Sequence, residues 1–469
     1  MPDGEAFGQL SARAAQSVIE APMHVGTLII GAGITGLATA AALSARGDDD
    51  YLVVEADADI GGWCKTVKKD GFVWDYSGHF FHFKHPEIEQ WLRDRMPGQD
   101  VRVVHKKTFV EFGGRRIDFP FQKNIHQLPQ PDFIDCLHDL YFARSSDAPL
   151  GAAAREDNFK EMLAARFGRA ICERFLFPYN EKLYACDLAT LDKDAMGRFF
   201  PHADLTDVVR NMKRPDNASY NSTFTYPAGG AFEYVRALAS AVRGGSIALG
   251  QELVAVDLER KAATLLVTDR AAGVRGGEAR PREVLFDRLV SSAPFNRFAR
   301  LCGLAHDPSA WAWNKVLVYN LGFDRKGERD VHWVYYPARS TVFYRVGWYD
   351  NIFDADRLSL YVEVGFARDA HIDVDATRRR VLEDLVREGV VTDQRLVAEH
   401  SVVMDPAYVH VTRRSIAEHQ RLTALLAARG VHSIGRYGGW TYCSIEDNIV
   451  EARALVASWA GRPRASDPR

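Results

Sequence analysis

The chain has 469 residues, a hydrophobic fraction of 47%, a charged fraction of 26% and a formal net charge of -3. These values suit a soluble globular protein with two or three domains, or one large domain with insertions, and leave no broad basic field for nucleic acid. Six cysteines lie scattered without a C-x-x-C pair, which argues against a zinc site or a disulfide framework, so no metal is expected and a reducing cytoplasm is the simplest compartment.

Residues 1–24 lack the basic start and long apolar core of a signal peptide and read as an N-terminal extension. Gly26 to Ala45 runs uncharged for twenty residues, long enough for a membrane span. Its clustered glycines and its change from strand to helix period favour a buried unit instead, and no membrane span is expected. Leu28 to Ile30 reads as a strand, Ile34 to Arg46 as a helix, and Tyr51 to Val54 as a second strand ending on Glu55. In the turn, Gly31 permits the tight bend, Gly33 lets backbone approach a pyrophosphate, and Gly36 lets the helix pack on its strand. The helix N-terminus favours the pyrophosphate charge, and Glu55, 19 positions after Gly36, is placed to accept from a ribose diol. Gly61 and Gly62, followed by Lys65 and Thr66, add a second glycine turn of the kind more typical of FAD than of NAD proteins.

Further along, Thr108 to Phe112 and Arg115 to Phe119 flank Gly113-Gly114 as a hairpin. Helical spacing dominates from about Asp132 to Arg214. Strand character returns at Ser246 to Val256, Ala262 to Thr268 and Val284 to Ser291, with a solvated Gly/Arg-rich tip at Arg270 to Arg282. Lys315 to Leu321, His332 to Tyr336, Val342 to Trp348 and Ser359 to Val364 suggest a second, antiparallel sheet, and Ile445 to Trp459 a last helix. The expected class is α/β: a discontinuous Rossmann-like FAD-binding domain with a helical insertion and an antiparallel substrate sheet. The expected division gives 25–100, 222–300 and 411–462 to the FAD domain, 125–215 to the insertion, and 101–124 with 301–410 to the substrate sheet. Ligands sit at the carboxyl ends of parallel strands, so the flavin ring is expected where Gly78-His79, the middle segments and Gly435 to Tyr442 converge.

Several motifs in this order, Gly78-His79, Phe119-Pro120-Phe121-Gln122, Pro178-Tyr179-Asn180, the Arg198 segment, Phe343-Tyr344-Arg345, Tyr408 and Gly435-Arg436-Tyr437-Gly438-Gly439-Trp440 with Tyr442, make the chain resemble the UDP-galactopyranose mutase family, especially its longer, eukaryote-like branch. The resemblance runs from Gly31 to about Val456. It implies an isomerase, a flavoprotein active with reduced FAD, whose N5 attacks the anomeric carbon of a UDP-sugar so that pyranose and furanose interconvert. NADPH or another reductant then serves as a transient electron donor, since no second glycine fingerprint is present. Oligomeric state is left open.

By the same resemblance, Arg198 and Arg345 grip the departing diphosphate, a task for which a guanidinium fork suits phosphate better than an ammonium. Tyr335 (with Tyr336 beside it), Tyr408 and Tyr442 offer phenol hydroxyls to the same group. Phe119, Phe121 and Gln122 hold the base, Asn180 and Asn221 contact the substrate, and Tyr184 stands where the family usually has tryptophan. His79 lies against the flavin, Arg436 near its pyrimidine end, and Gly78, Gly435 and Asp447 also belong to the cofactor site. Trp63 replaces a common leucine, and the chain reaches Glu446-Asp447 soon after Tyr442, so a related nucleotide sugar remains open. Two other classes fit the residues: a FAD oxidase or dehydrogenase of a different small molecule, and a flavin-fold binding protein that has lost catalysis.

Overall fold

The computed structural model describes residues 22–143, 156–200, 203–216, 222–268 and 279–459. Its nucleotide-binding sheet is built from both ends of the chain. Strand β1 (Met23–Ile30) lies between Arg280–Ser291 and β2 (Tyr51–Val54), all parallel, and Leu28 faces Leu52 on one side and Leu289 on the other. Val431–Ser433 extends the parallel set beside Arg280–Ser291, and Gln251–Asp257 with Ala262–Val267 adds an antiparallel flank. Six of the eight residues of β1 are buried, as expected for a parallel strand covered on both faces.

Helix α1 (Ile34–Ala45) is alanine-rich and buried on nearly every side between this sheet and the terminal helix Ile445–Ala457. Such close approach needs a bare backbone: a Cβ on Gly36 would lie 1.8 Å from the Gly31 carbonyl oxygen, and Gly31 itself has φ +96°. The helix ends at Ala45, with Arg46 as its cap.

The second sheet runs in the order Leu396–Met404, Ala312–Phe323, Ser359–Ala367, Arg345–Trp348, Trp333–Tyr335, Thr108–Phe112 and Arg115–Asp118. All neighbours are antiparallel except Trp333–Tyr335 against Thr108–Phe112. The expected Val342–Trp348 strand begins only at Arg345, because the chain leaves the Ala338–Thr341 turn through irregular, bent backbone at Val342 to Tyr344. Seven of the described strands had no sequence expectation: Leu396–Met404 at the sheet edge, Thr66–Lys69 with its partner Phe72–Asp75, the pair Val101–His105 with Thr223–Pro227, and the short Val409–His410 and Val431–Ser433. Charged residues interrupt the apolar alternation in three of them: Lys68 and Lys69, Arg102, and Glu399.

Helices Gln130–Ala143, Phe159–Ile171 and Phe177–Tyr184 form the helical insertion. A π-helical turn at Cys172–Leu176 joins the last two. No helix among the described residues is long and apolar enough to cross a membrane, and among them no cluster of His, Cys, Asp and Glu is fit to hold a metal ion.

His332 and His410 are buried, and burial pushes each imidazole down to about 4. Their bonds suit the neutral ring: His332 Nδ1 accepts from Lys107 N–H at 2.9 Å, and His410 Nε2 lies 3.0 Å from the Tyr184 carbonyl. Because the folded values lie below the unfolded one, the unfolded chain takes up these protons first as pH falls. Stability is then fully present above about pH 6.5 and lost toward pH 4, by on the order of 3 kcal/mol per histidine. Urea titrations across that range are expected to show this slope, and to show it flattened in the H332N/H410N variant.

Candidate active site

One continuous cavity of about 680 Å³ joins the glycine turn to the second sheet. On the first side its lining includes Gly31, Gly33, Thr35, Glu55, Gly61 and Gly62. Gly33 is the N-cap of α1, no side chain among the described residues caps that helix, and no acid stands in its first turn. Apart from its own chain neighbours and helix backbone, the nearest atom among the described residues to a Cβ on Gly33 would be the Cα of Gly62, at 4.0 Å, so the two glycines leave open a gap that side chains would fill. Open N–H donors at a helix start beside a bare-backbone cradle fit the pyrophosphate of a dinucleotide. Glu55 accepts from Ala32 N–H at 2.8 Å and Asp57 N–H at 2.9 Å, and a carboxylate has lone pairs left for a ribose. Gly61 and Gly62 take φ +109° and +56°.

Register assembles the other side. Tyr335 pairs with Arg345, and Arg345 pairs with Glu363, across three neighbouring strands. The guanidinium donates from Nε at 2.7 Å and from Nη2 at 2.6 Å to the Glu363 carboxylate. Nη1 has no protein partner among the described residues, and 18% of the side chain remains accessible, toward the cavity. Burial alone would lower Arg345, but the facing Glu363 holds it well above its ordinary value. Burial would likewise raise Glu363, and Arg345 reverses that, so both groups stay charged. The strand's alternation sends Tyr335 to the cavity and Tyr336 to the opposite core, against Phe343.

Tyr408 and Tyr442 stack 6.0 Å apart at 12°, with the Arg436 guanidinium 5.2 Å and 4.7 Å from their ring centres. Burial keeps the phenols of Tyr335 and Tyr408 above their ordinary value, so each stays protonated and able to donate. Asn180 Nδ2 donates to the Leu176 carbonyl at 2.7 Å, while its buried Oδ1 has no partner among the described residues. His79 also lines the cavity; burial, opposed by Glu363 and reinforced by Arg436 and Arg345, takes it down to about 4, so its ring is neutral near pH 7. Phe119 lies 5.1 Å from Tyr335, and Gly78 and Trp63 complete this part of the wall.

Some expected residues stand elsewhere. Phe121 turns inward in a short helical turn and stacks on Phe175 at 5.0 Å, and Gln122 beside it is fully buried, so neither reaches the lining. Tyr184 sits behind Tyr408, edge-on at 5.8 Å, rather than facing the cavity. Asp447 forms the reciprocal cap of the terminal helix with Ser444, and Ser444, Ile445 and Asn448 line the cavity in its place. Gly36 and Gly435 act by close packing: a Cβ on Gly435 would meet Thr35 Oγ1 at 2.3 Å. Asn221 and the side chain of Arg198 lie outside the described residues. Glu363 was missed, although a lone carboxylate inside the apolar run Leu360-Tyr361-Val362-Glu363-Val364 is a readable signal. Tyr179 and Tyr344, quoted only as parts of motifs, also line the cavity.

Residues 34–442 match the family described as flavin containing amine oxidoreductase. Protoporphyrinogen oxidase 2, chloroplastic/mitochondrial, of Arabidopsis thaliana is 25% identical over 208 residues, covering 43% of this chain and 40% of that protein. The chloroplastic protoporphyrinogen oxidase of Oryza sativa subsp. japonica is 27% identical over 209 residues, 41% of this chain and 38% of that one. The chain thus spans about two fifths of the length of these curated relatives. Among solved structures, reduced UDP-galactopyranose mutase superposes with a TM-score of 0.82 at 22% identity over 94% of both chains. A putative protoporphyrinogen oxidase from Exiguobacterium sp. 255-15 gives 0.71 at 18% identity, over 94% of this chain and 99% of that one. At such identities the likeness is one of fold.

Two alanine substitutions separate cradle from scaffold. G33A adds a methyl into open space, 4.0 Å from Gly62 Cα, so it is expected to retain less flavin without lowering the apoprotein melting temperature. G36A drives its methyl into the Gly31 carbonyl and is expected to lose stability as well, by about 1–3 kcal/mol or more. Flavin absorbance per chain and thermal melts measure both.

Proposed function

The chain belongs to the flavin containing amine oxidoreductase family, and on that premise we propose that it is a flavin-dependent nucleotide-sugar mutase interconverting the pyranose and furanose forms of a UDP-linked hexose, UDP-galactopyranose or a close relative. The observation that carries this reading is the half-committed guanidinium of Arg345. One edge is fixed on Glu363 and the other is open to the cavity among Tyr335, Tyr344 and Tyr408. A cationic amine has no use for that arrangement, whereas a departing diphosphate gathers negative charge as the anomeric bond breaks.

Bound FAD, when reduced, supplies the nucleophile for the anomeric carbon. The chain's own residues bind, orient and dry the site. Arg345 receives the diphosphate through its open edge, a charge-assisted contact whose geometry Glu363 has already set. Tyr335, Tyr408 and Tyr442 donate hydroxyls, Phe119 packs against the nucleotide, and the buried Oδ1 of Asn180, without a partner among the described residues, accepts from a sugar hydroxyl. Neutral His79 adds no charge beside the guanidiniums. Arg198 and Asn221 are proposed to add to the same grip. An external reductant such as NADPH acts transiently, and the cytoplasm suits that cycle.

A second reading, a FAD oxidase, is favoured by the protoporphyrinogen oxidase relatives, since an open guanidinium also holds a substrate carboxylate. Chromatography of UDP-galactopyranose incubated with dithionite-reduced protein separates the two. The mutase reading expects furanose product over many turnovers per reductant, none with oxidised protein, and a loss of roughly 10²–10³-fold in kcat in R345K. Absence of furanose, with oxygen uptake driven by another substrate, supports the oxidase instead.

A further inference from the structure

A single buried carboxylate holds both Arg345 and the turn that carries His79. Glu363 is 1% exposed. Besides its two bonds to Arg345 it accepts, through Oε1, a hydrogen bond from Ser77 Oγ. The Ser77 carbonyl accepts in turn from the Tyr349 hydroxyl at 3.1 Å and from His79 N–H at 2.7 Å, which closes the Ser77-Gly78-His79 turn. Gly78 lies tight under Tyr361, where a Cβ would come 2.7 Å from the phenol oxygen. At the far end of the segment, Glu446 accepts from the N–H groups of Lys84 and His85. The turn is therefore anchored from other elements at both ends, and its first anchor is shared with the guanidinium that opens on the cavity.

We propose that Glu363 is a positioning residue that couples two parts of the site: it aims Arg345 into the cavity and passes the arrival of an anion there to the Ser77–His79 turn. This rests on the reading of Arg345 as the seat of a diphosphate. An anion on the open edge of Arg345 draws on the same positive charge that Glu363 shares, and the carboxylate's balance between Arg345 and Ser77 shifts with it. Linkage makes the effect reciprocal, so the conformation of the turn also sets how Arg345 meets an anion. The charged groups that act on His79 are Glu363, Arg436 and Arg345, so a change in the Arg345–Glu363 balance is felt at the imidazole.

Hydrogen exchange of the 76–85 segment in the flavin-loaded protein, with and without inorganic pyrophosphate, tests this. Pyrophosphate is expected to change exchange at Gly78 and His79 by about fivefold or more in the wild type. In S77A, which keeps the Arg345–Glu363 pair, pyrophosphate still binds by calorimetry but the turn no longer responds; E363Q likewise loses the response. S77A alone decides the matter should E363Q fail to fold. A wild-type turn that ignores pyrophosphate, or an S77A turn that responds as the wild type does, overturns the coupling. Turnover is read separately: the turn can respond to the anion in a protein that makes no furanose, and that outcome sinks only the mutase reading.

Discussion

Taking a guanidinium out of water costs several kcal/mol unless a carboxylate meets it with good geometry. Strand register meets that condition here by setting Arg345 directly opposite Glu363, with Tyr335 next in the same row. Direct cross-strand neighbours share a face of the sheet, so one choice of register delivers a phenol, a cation and its counter-ion to the same wall. A slip of one residue would send Arg345 into the opposite core around Val346, Val362 and Val364. The row's second consequence is directional. With Nε and Nη2 held, only the remaining edge can receive a ligand, and it opens toward the cavity that the glycine turn shares.

The α/β class and the first strand-turn-helix-strand unit were legible because their signals are local: a buried apolar run, three glycines at fixed offsets, an alanine-rich helix and an acid after the second strand. The helix Ile34–Ala45 and strand Tyr51–Val54 match expectation to within a residue. The hairpin Thr108–Phe112 with Arg115–Asp118 was legible for the same reason. Leu396–Met404 was not, because an edge strand satisfies only one neighbour and its burial does not alternate.

The candidate site divides along similar lines. Arg345, Tyr335, Tyr408, Tyr442, Asn180 and His79 do reach one cavity from segments far apart in the chain. Phe121, Gln122 and Tyr184 do not, because aromatic and amide residues next to a motif carry no mark of which way a turn will face them. Glu363 carried a mark that went unused: a charge inside a buried strand requires a partner. The fold is held in common with oxidases and a mutase alike, so what distinguishes their chemistry must lie in such rows of side chains rather than in the scaffold.

The central claim is that the open edge of Arg345 recognises a diphosphate. Calorimetric titration of the flavin-loaded protein with UDP and with uridine, in wild type and in R345A, tests it most directly. The account predicts that UDP binds the wild type, that uridine binds far more weakly, and that R345A brings UDP down to the level of uridine. Equal binding of UDP by wild type and R345A would contradict it.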